Sequence, residues 1–348
     1  MRLELRADVT EDVIGEARTR RWGVPDSWPK WISRVTPYGD FRIRYQLDSF
    51  DNGNSPQYLN FQAINEAGGI GSAGTDALLN TTEDRQRARI RLRLGFKVKL
   101  SEMLQLDARL ATGNGDDPVS ANQTLGDYWS ASTINLDRAY FRYRSLIKNW
   151  RFVAGRIPNP WLSTDMIWDS DLNFSGAAAT YRWLRVDDFD DDGDFSFDPF
   201  VTIGAFPLQE VELSSDDKWL YGIQVVVEYL VDKPSQLAFG VAYYDYANIT
   251  GQTNSLNSNE LDYTAPEFLQ KGNTLIDINN DGDSLTNLYA LVADFNLLAF
   301  TLSYDIARFS PTHIILDAEY VQNMGFDQGD ILARTGVLLK EQNVGYKF

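Results

Sequence analysis

Six cationic side chains stand at alternate positions of one stretch: Arg87, Arg89, Arg91, Arg93, Lys97 and Lys99, interleaved with Ala88, Ile90, Leu92, Leu94, Phe96, Val98 and Leu100. Successive side chains of a strand point to opposite faces, so one face of this segment is cationic and the other apolar. Fixed cations facing water attract anions and lower the barrier to their passage, which is how rings of Arg and Lys confer anion selectivity on a pore. The same alternation turns Arg42 and Arg44 away from Phe41, Ile43, Tyr45 and Leu47, and it places Arg109, Arg138 and Arg142 on the polar face of later stretches. The expected pore-lining ladder is therefore Arg42, Arg44, Arg87, Arg89, Arg91, Arg93, Lys97, Arg109, Arg138 and Arg142. In a competing reading, inward carboxylates such as Asp107 and Asp137 pair with these cations and leave a rigid wall with little net field.

Two acidic segments have calcium-like spacing. Asp188, Asp190, Asp192 and Asp194 in one, and Asp277, Asn279, Asp281 and Asp283 in the other, put oxygen ligands at alternate positions, each with a Gly that allows a sharp turn. Ca²⁺ takes six to eight oxygens around one point, and both segments supply several. Neither has the bidentate Glu of an EF-hand, since Pro199 and Leu288 stand at the twelfth positions. A simpler Ca²⁺ cage and a solvated acidic turn both remain open, and no cofactor is required by the sequence. Catalysis has little to work with. The single His, His313, follows Pro311 in an expected turn, and a Ser-His hydrolase would need it beside an oriented partner. The Gly-rich segments at 68–71 and 113–115 lack the Lys and the strand-to-helix context of a phosphate loop.

The elements that must position the ladder are strands. Dyad patterns recur at 39–47, 87–100, 104–111, 138–144 and 150–154, joined by alternately long and very short connections. Further strands are expected at 174–183, 200–206, 220–231, 236–246, 294–306, 314–322 and 336–348, which makes about twelve. Alternating segments of about ten residues, long loops at one end and tight turns at the other, are the signature of an all-β, transmembrane, antiparallel up-and-down β-barrel. Residues 1–36 do not alternate; a short helix over 8–20 and an extended lead-in are expected there on the periplasmic side, with the barrel occupying 37–348. The residues from 156 onward, Arg-Ile-Pro-Asn-Pro-Trp, are expected to start an outer loop. At the end, Val344, Tyr346 and Phe348 form an outward aromatic stripe.

Composition agrees with this architecture and narrows the function. The chain has 348 residues and no Cys, which excludes disulfides, thiolate metal sites and Cys nucleophiles. No run of about 18 apolar residues exists, so the chain has no transmembrane helix, whereas barrel strands are half polar and tolerate a mean hydropathy of −0.33. The net charge of −17 argues against a nucleic-acid partner. Nine Trp and seventeen Tyr suit aromatic girdles at two membrane interfaces. The first residues lack the apolar core of a secretory signal, so an exported protein with this sequence is expected to be a processed form.

The stretches Trp28-Pro-Lys-Trp-Ile-Ser-Arg, Tyr38-Gly-Asp-Phe-Arg-Ile-Arg-Tyr, Arg85-Gln-Arg-Ala-Arg-Ile-Arg-Leu-Arg-Leu-Gly, Leu136-Asp-Arg-Ala-Tyr, Gly155-Arg-Ile-Pro-Asn-Pro-Trp and Phe206-Pro-Leu-Gln-Glu resemble those of the bacterial "putative porin" family. The resemblance covers the first two thirds of the chain and thins out afterwards. It implies a single barrel in the bacterial outer membrane, in contact with its lipid, and no assigned substrate. Family members continue beyond the position of Phe348, which implies a truncated chain and as many as sixteen strands in the closed barrel. The leading expectation is a porin for passive diffusion of small hydrophilic solutes, anions favoured. The alternative is a plugged, non-conducting barrel serving as anchor or surface scaffold through its acidic loops. A homotrimer is compatible with a porin, although none of the residues above argues for it.

Overall fold

The computed structural model describes residues 30–113, 117–126, 128–147, 149–183, 197–212, 214–232, 235–269, 271–309 and 312–348. Most of the expected N-terminal segment, 1–29, lies outside them. After a 3-10 turn at Lys30–Arg34, twelve strands succeed one another as an antiparallel meander: β1 Val35–Asp48, β2 Arg85–Lys99, β3 Leu104–Thr112, β4 Ile134–Arg144, β5 Trp150–Pro158, β6 Asn173–Arg182, β7 Phe197–Gln209, β8 Lys218–Asp232, β9 Ser235–Ala247, β10 Asn296–Phe309, β11 Thr312–Asn323 and β12 Val344–Lys347. Each pairs with the next, and a short strand at Gln123–Thr124 also pairs with β2. Among the described residues no pairing joins β12 to β1. β1 has 14 residues and β2 has 15, more than the nine to eleven or so a tilted strand needs to cross a hydrocarbon core.

Tight turns separate β2 from β3, β4 from β5, β8 from β9 and β10 from β11, and the long connections after β1, β3, β5, β9 and β11 lie at the opposite end. The β1–β2 connection carries two short helices, α1 Phe61–Ala67 and α2 Ile70–Ala73. The twelve expected strands are all present, most extending a few residues beyond the dyad pattern. The exception is the last. Residues 336–343 are not strand; helix α3, Gln328–Thr335, precedes them, capped by Asp327, whose carboxylate accepts from the Gly329 and Asp330 N–H groups, and closed by Gly336 in the left-handed region. Arg334 ties α3 to the β9–β10 loop by donating to the Gly251 carbonyl (3.2 Å) and to that of Val292.

The outward face is apolar and bare: Phe41, Ile43, Tyr45, Leu47, Leu94, Phe96, Phe141, Phe239 and Tyr346 are exposed, Ile43 at 73%. Such a continuous belt is untenable in water and is what a lipid-facing barrel wall presents. Among the described residues no helix is long and apolar enough to cross a membrane. The inward face divides. On β1–β4 it is dominated by charge, whereas on β5–β11 the inward positions build the main hydrophobic core, including Ile157, Phe206, Leu220, Tyr244 and Ala299.

Candidate functional site

The cationic wall is set by the β1–β2 register, which places Asp40 opposite Arg93, Arg42 opposite Arg91, Arg44 opposite Arg89 and Gln46 opposite Arg87. Directly opposed like charges repel, so such a ladder needs compensation from elsewhere. Part of it comes from carboxylates. Arg87 donates to Asp48 (2.6 Å), Arg93 through Nε to Asp40 (2.6 Å) and Arg91 to Asp40 (3.1 Å). Asp171 accepts from Arg91 (3.1 Å) and Arg93 (3.3 Å). The rest is uncharged: Arg42 donates to the Asn122 side-chain oxygen (2.6 Å), and Arg89 reaches Gln46 and Ser120, both at 3.4 Å. Arg44 is exposed and bonded to nothing among the described residues.

The wall continues on β3 and β4. A register shift after Arg109 inserts Asp137 into β4 as a bulge, so that Asp137 and Arg138 both serve the inner side. Arg109 pairs with Asp137. Asn173 donates to Asp137 (2.7 Å) and accepts from Arg138 (2.7 Å). Asp107 instead accepts the Tyr38 hydroxyl (2.6 Å), with Tyr140 at 3.5 Å, and Lys97 lies 5.7 Å from the centroid of the Tyr38 ring. Arg142 stands opposite Gln105 on the same face. All ten ladder residues thus share one side of β1–β4, and the expected counter-charge at Asp137 is in contact while Asp107 is taken up by tyrosines.

The segment 159–172 overturns one expectation. Arg156 to Pro158 still belong to β5, and the residues after them form no outer loop: they fold across the inner side of the sheet. Pro158 and Pro160 lack the N–H a ladder needs, and Asn159 turns the chain by accepting the Trp161 N–H (3.0 Å) and donating to Ser163 (2.9 Å). Trp161 then lies on a glycine floor, where a Cβ at Gly222 would come within 2.7 Å of the indole, and its ring meets Tyr244 edge-on at 5.3 Å. Leu162 exchanges two 2.7 Å hydrogen bonds with Gln224, its N–H donating and its carbonyl accepting. Glu319 accepts Thr164 (2.5 Å) and Thr301 (3.0 Å), and Asp165 pairs with Lys347. Trp168 wedges between Phe174 and Tyr244, and Asp171 ends the segment on Arg91 and Arg93. One segment of about 14 residues therefore touches β2 and β12 alike, which requires the sheet to curl around it.

This segment fills the apolar half of the interior and leaves the cationic half to face it. The signal for it was present in the sequence: inward positions Ala178, Gly204, Gly222, Gly240 and Ala242 are small where a wetted wall would be polar.

At the long-loop end, α1 and α2 dock on the β9–β10 loop. Asn65 donates to the Pro266 and Tyr289 carbonyls and accepts the Tyr289 N–H, each at 2.8 Å. A cavity of about 430 Å³ between them is lined by Phe61, Glu66, Asp117, Phe268 and Lys271, among others.

Of the calcium-like segments, Asp188, Asp190, Asp192 and Asp194 lie outside the described residues. In the other, the acceptors are engaged by the loop itself. Asp277 accepts from the N–H groups of Asn279 and Leu288 (both 3.1 Å), and Asp283 from Leu285 (2.9 Å). Asp281 accepts from the Asp283 N–H (2.8 Å) and Thr286 (2.7 Å), bonds that hold its carboxyl below the usual carboxylate range, the Asp283 N–H most of all. Asn279 donates to the Thr286 carbonyl (2.8 Å). Among the described residues no three His, Cys, Asp or Glu side chains are gathered to hold a metal ion. His313 pairs with Asp305 at 3.0 Å near the tight-turn end.

A family model described as "Putative porin" matches residues 1–348, beyond the two thirds where the sequence resemblance is clear. No curated protein matches the chain. Among solved structures, the high-pH structure of Pseudomonas putida OprB is similar at 13% identity and a TM-score of 0.41, over 93% of this chain and 86% of that one.

Proposed function

Since this chain belongs to the putative porin family, we propose that it is an outer-membrane diffusion channel for small hydrophilic solutes in which anions are favoured. The observation that carries the preference is the excess of cations on the inner side of β1–β4. Ten Arg and Lys side chains share that side, and the carboxylates in contact with them, Asp40, Asp48, Asp137 and Asp171, are too few to neutralise it. With the apolar half of the interior filled by residues 159–172, solutes pass along the charged half, where the field of the wall is strongest.

The test is the reversal potential of the purified protein in a planar bilayer under a KCl gradient. Wild-type protein is expected to favour Cl⁻ several-fold. Changing Arg89, Arg91 and Arg93 together to Gln removes three cations and strips Asp40 and Asp171 of their partners, so the preference should fall to near unity or reverse. A preference unaffected by the triple change would refute the wall as selectivity filter. One observation favours the alternative of a non-conducting scaffold: the packing of Trp161 and Trp168 into the interior. Folded protein that carries no current would select it.

A further inference from the structure

The cations of the wall are not equivalent. Arg87, Arg91 and Arg93 each touch a carboxylate, whereas Arg42, Arg44 and Arg89 touch none among the described residues. Their register makes the contrast sharper, because Arg44 faces Arg89 directly and Arg42 faces Arg91. Three guanidinium groups are therefore held near one another towards the long-loop end of the wall, against the repulsion that opposed like charges incur.

Asp117 of the β3–β4 loop lies within electrostatic reach of Arg89 without pairing with it, and the groups in contact are neutral and rich in hydrogen-bonding capacity. The β3–β4 loop is pinned beside them by the pairing of Gln123–Thr124 with β2, which brings Ser120 and Asn122 against Arg89 and Arg42. Ser120 Oγ accepts from Arg89 and from Asn122, and its own proton has no acceptor among the described residues. The Nε groups of Arg42 and Arg89 are buried and likewise find no acceptor. Donors here outnumber acceptors, and the planar fork of Arg matches the geometry of an oxyanion.

We propose that Arg42, Arg44 and Arg89, with Ser120 and Asn122, form a discrete binding step for a small multivalent oxyanion at the outer part of the cationic wall. Passage of such anions is then saturable: they dwell at this step before moving on to Arg91, Arg93 and the Arg109–Arg138 pair. The proposal rests on the reading of the chain as a channel and deepens it by naming the solute class.

Inorganic phosphate is the probe. In KCl, phosphate added to either side of a bilayer is expected to reduce the Cl⁻ current with a saturable concentration dependence, and phosphate is expected to bind the folded, detergent-solubilised protein in equilibrium dialysis. Arg44→Gln and Arg89→Gln should each raise the half-blocking concentration about tenfold, the scale of one lost charge-assisted hydrogen bond. Lys97→Gln removes the same charge lower on the wall; it should lower anion preference but shift the half-blocking concentration by less than about threefold. Conduction without saturable block, or an equal shift from Lys97→Gln, would overturn the step while leaving the channel reading intact. Absence of current would overturn the channel reading, and dialysis would still decide the site. Arg44 is exposed and bonded to nothing among the described residues, so Arg44→Gln gives a folded variant even where Arg89→Gln does not.

Discussion

Trp161→Ala is expected to destabilise the protein by about 3–5 kcal/mol, the usual cost of truncating a buried Trp, and to raise single-channel conductance at least about twofold. Trp161 is 6% exposed and seats the 159–172 segment by packing edge-on against Phe206 and Tyr244 above the glycine floor at Gly204 and Gly222. Removing the ring leaves a void that those glycines have no side chains to fill. The segment then holds to the wall chiefly by Leu162, Thr164 and Asp171. The indole N–H has no acceptor among the described residues, so Trp161→Phe deletes an unpaired donor and keeps an aromatic edge; it should cost under about 2 kcal/mol. Urea midpoints and conductance, measured on both variants, check the pair. Unchanged conductance in a destabilised Trp161→Ala protein would show that this segment does not limit the aperture.

Asp171→Asn acts on the other end of the same segment and in the opposite sense to the Arg changes. Asp171 is the more buried of the two carboxylates shared by Arg91 and Arg93; its side chain is 11% exposed against 40% for Asp40. Without its charge the two guanidiniums depend on a carboxylate that water screens. The expected result is a stronger anion preference, read as a reversal potential closer to the Cl⁻ limit, with a stability loss of about 1–3 kcal/mol. The loss falls below that of breaking a fully buried pair because Arg91 and Arg93 keep Asp40 and some solvent. A weaker anion preference would show that Asp171 does not neutralise the wall.

The two halves of the interior differ in how readily the sequence discloses them. On β2 the two faces carry opposite chemistry, so Arg87 to Lys99 betrays strand, faces and register of side chains at once. The strands β6–β10 mix small and apolar residues, as at Gly204, Gly222, Gly240 and Ala242, with few charges on the inner face, so dyad reading finds the strands without learning which face is packed. The groups that pack there are remote in sequence: Leu162 meets Gln224 across 62 residues and Thr164 meets Glu319 across 155. Nothing local announces such partners. Likewise α1 and α3 are short and owe their starts to the Asn60 and Asp327 caps within loops, too brief for periodicity to register. The bulge at Asp137 was visible only as an acid among arginines; the register shift that turns it inward is a property of the pairing with β3.

The clasp between Asn65 and Tyr289 joins residues 224 apart. Chain-closure entropy of that size is met only after the intervening strands have assembled, which places the mouth among the last features to form during maturation. By the same token it belongs to a less cooperative layer of the molecule: three hydrogen bonds of the Asn65 amide, one from the Gly71 N–H to the Leu285 carbonyl (2.8 Å) and an edge-on Phe61–Tyr289 contact hold it, against the continuous strand pairing of the wall beneath. The mouth can thus open locally at a lower free-energy cost than the paired wall below it.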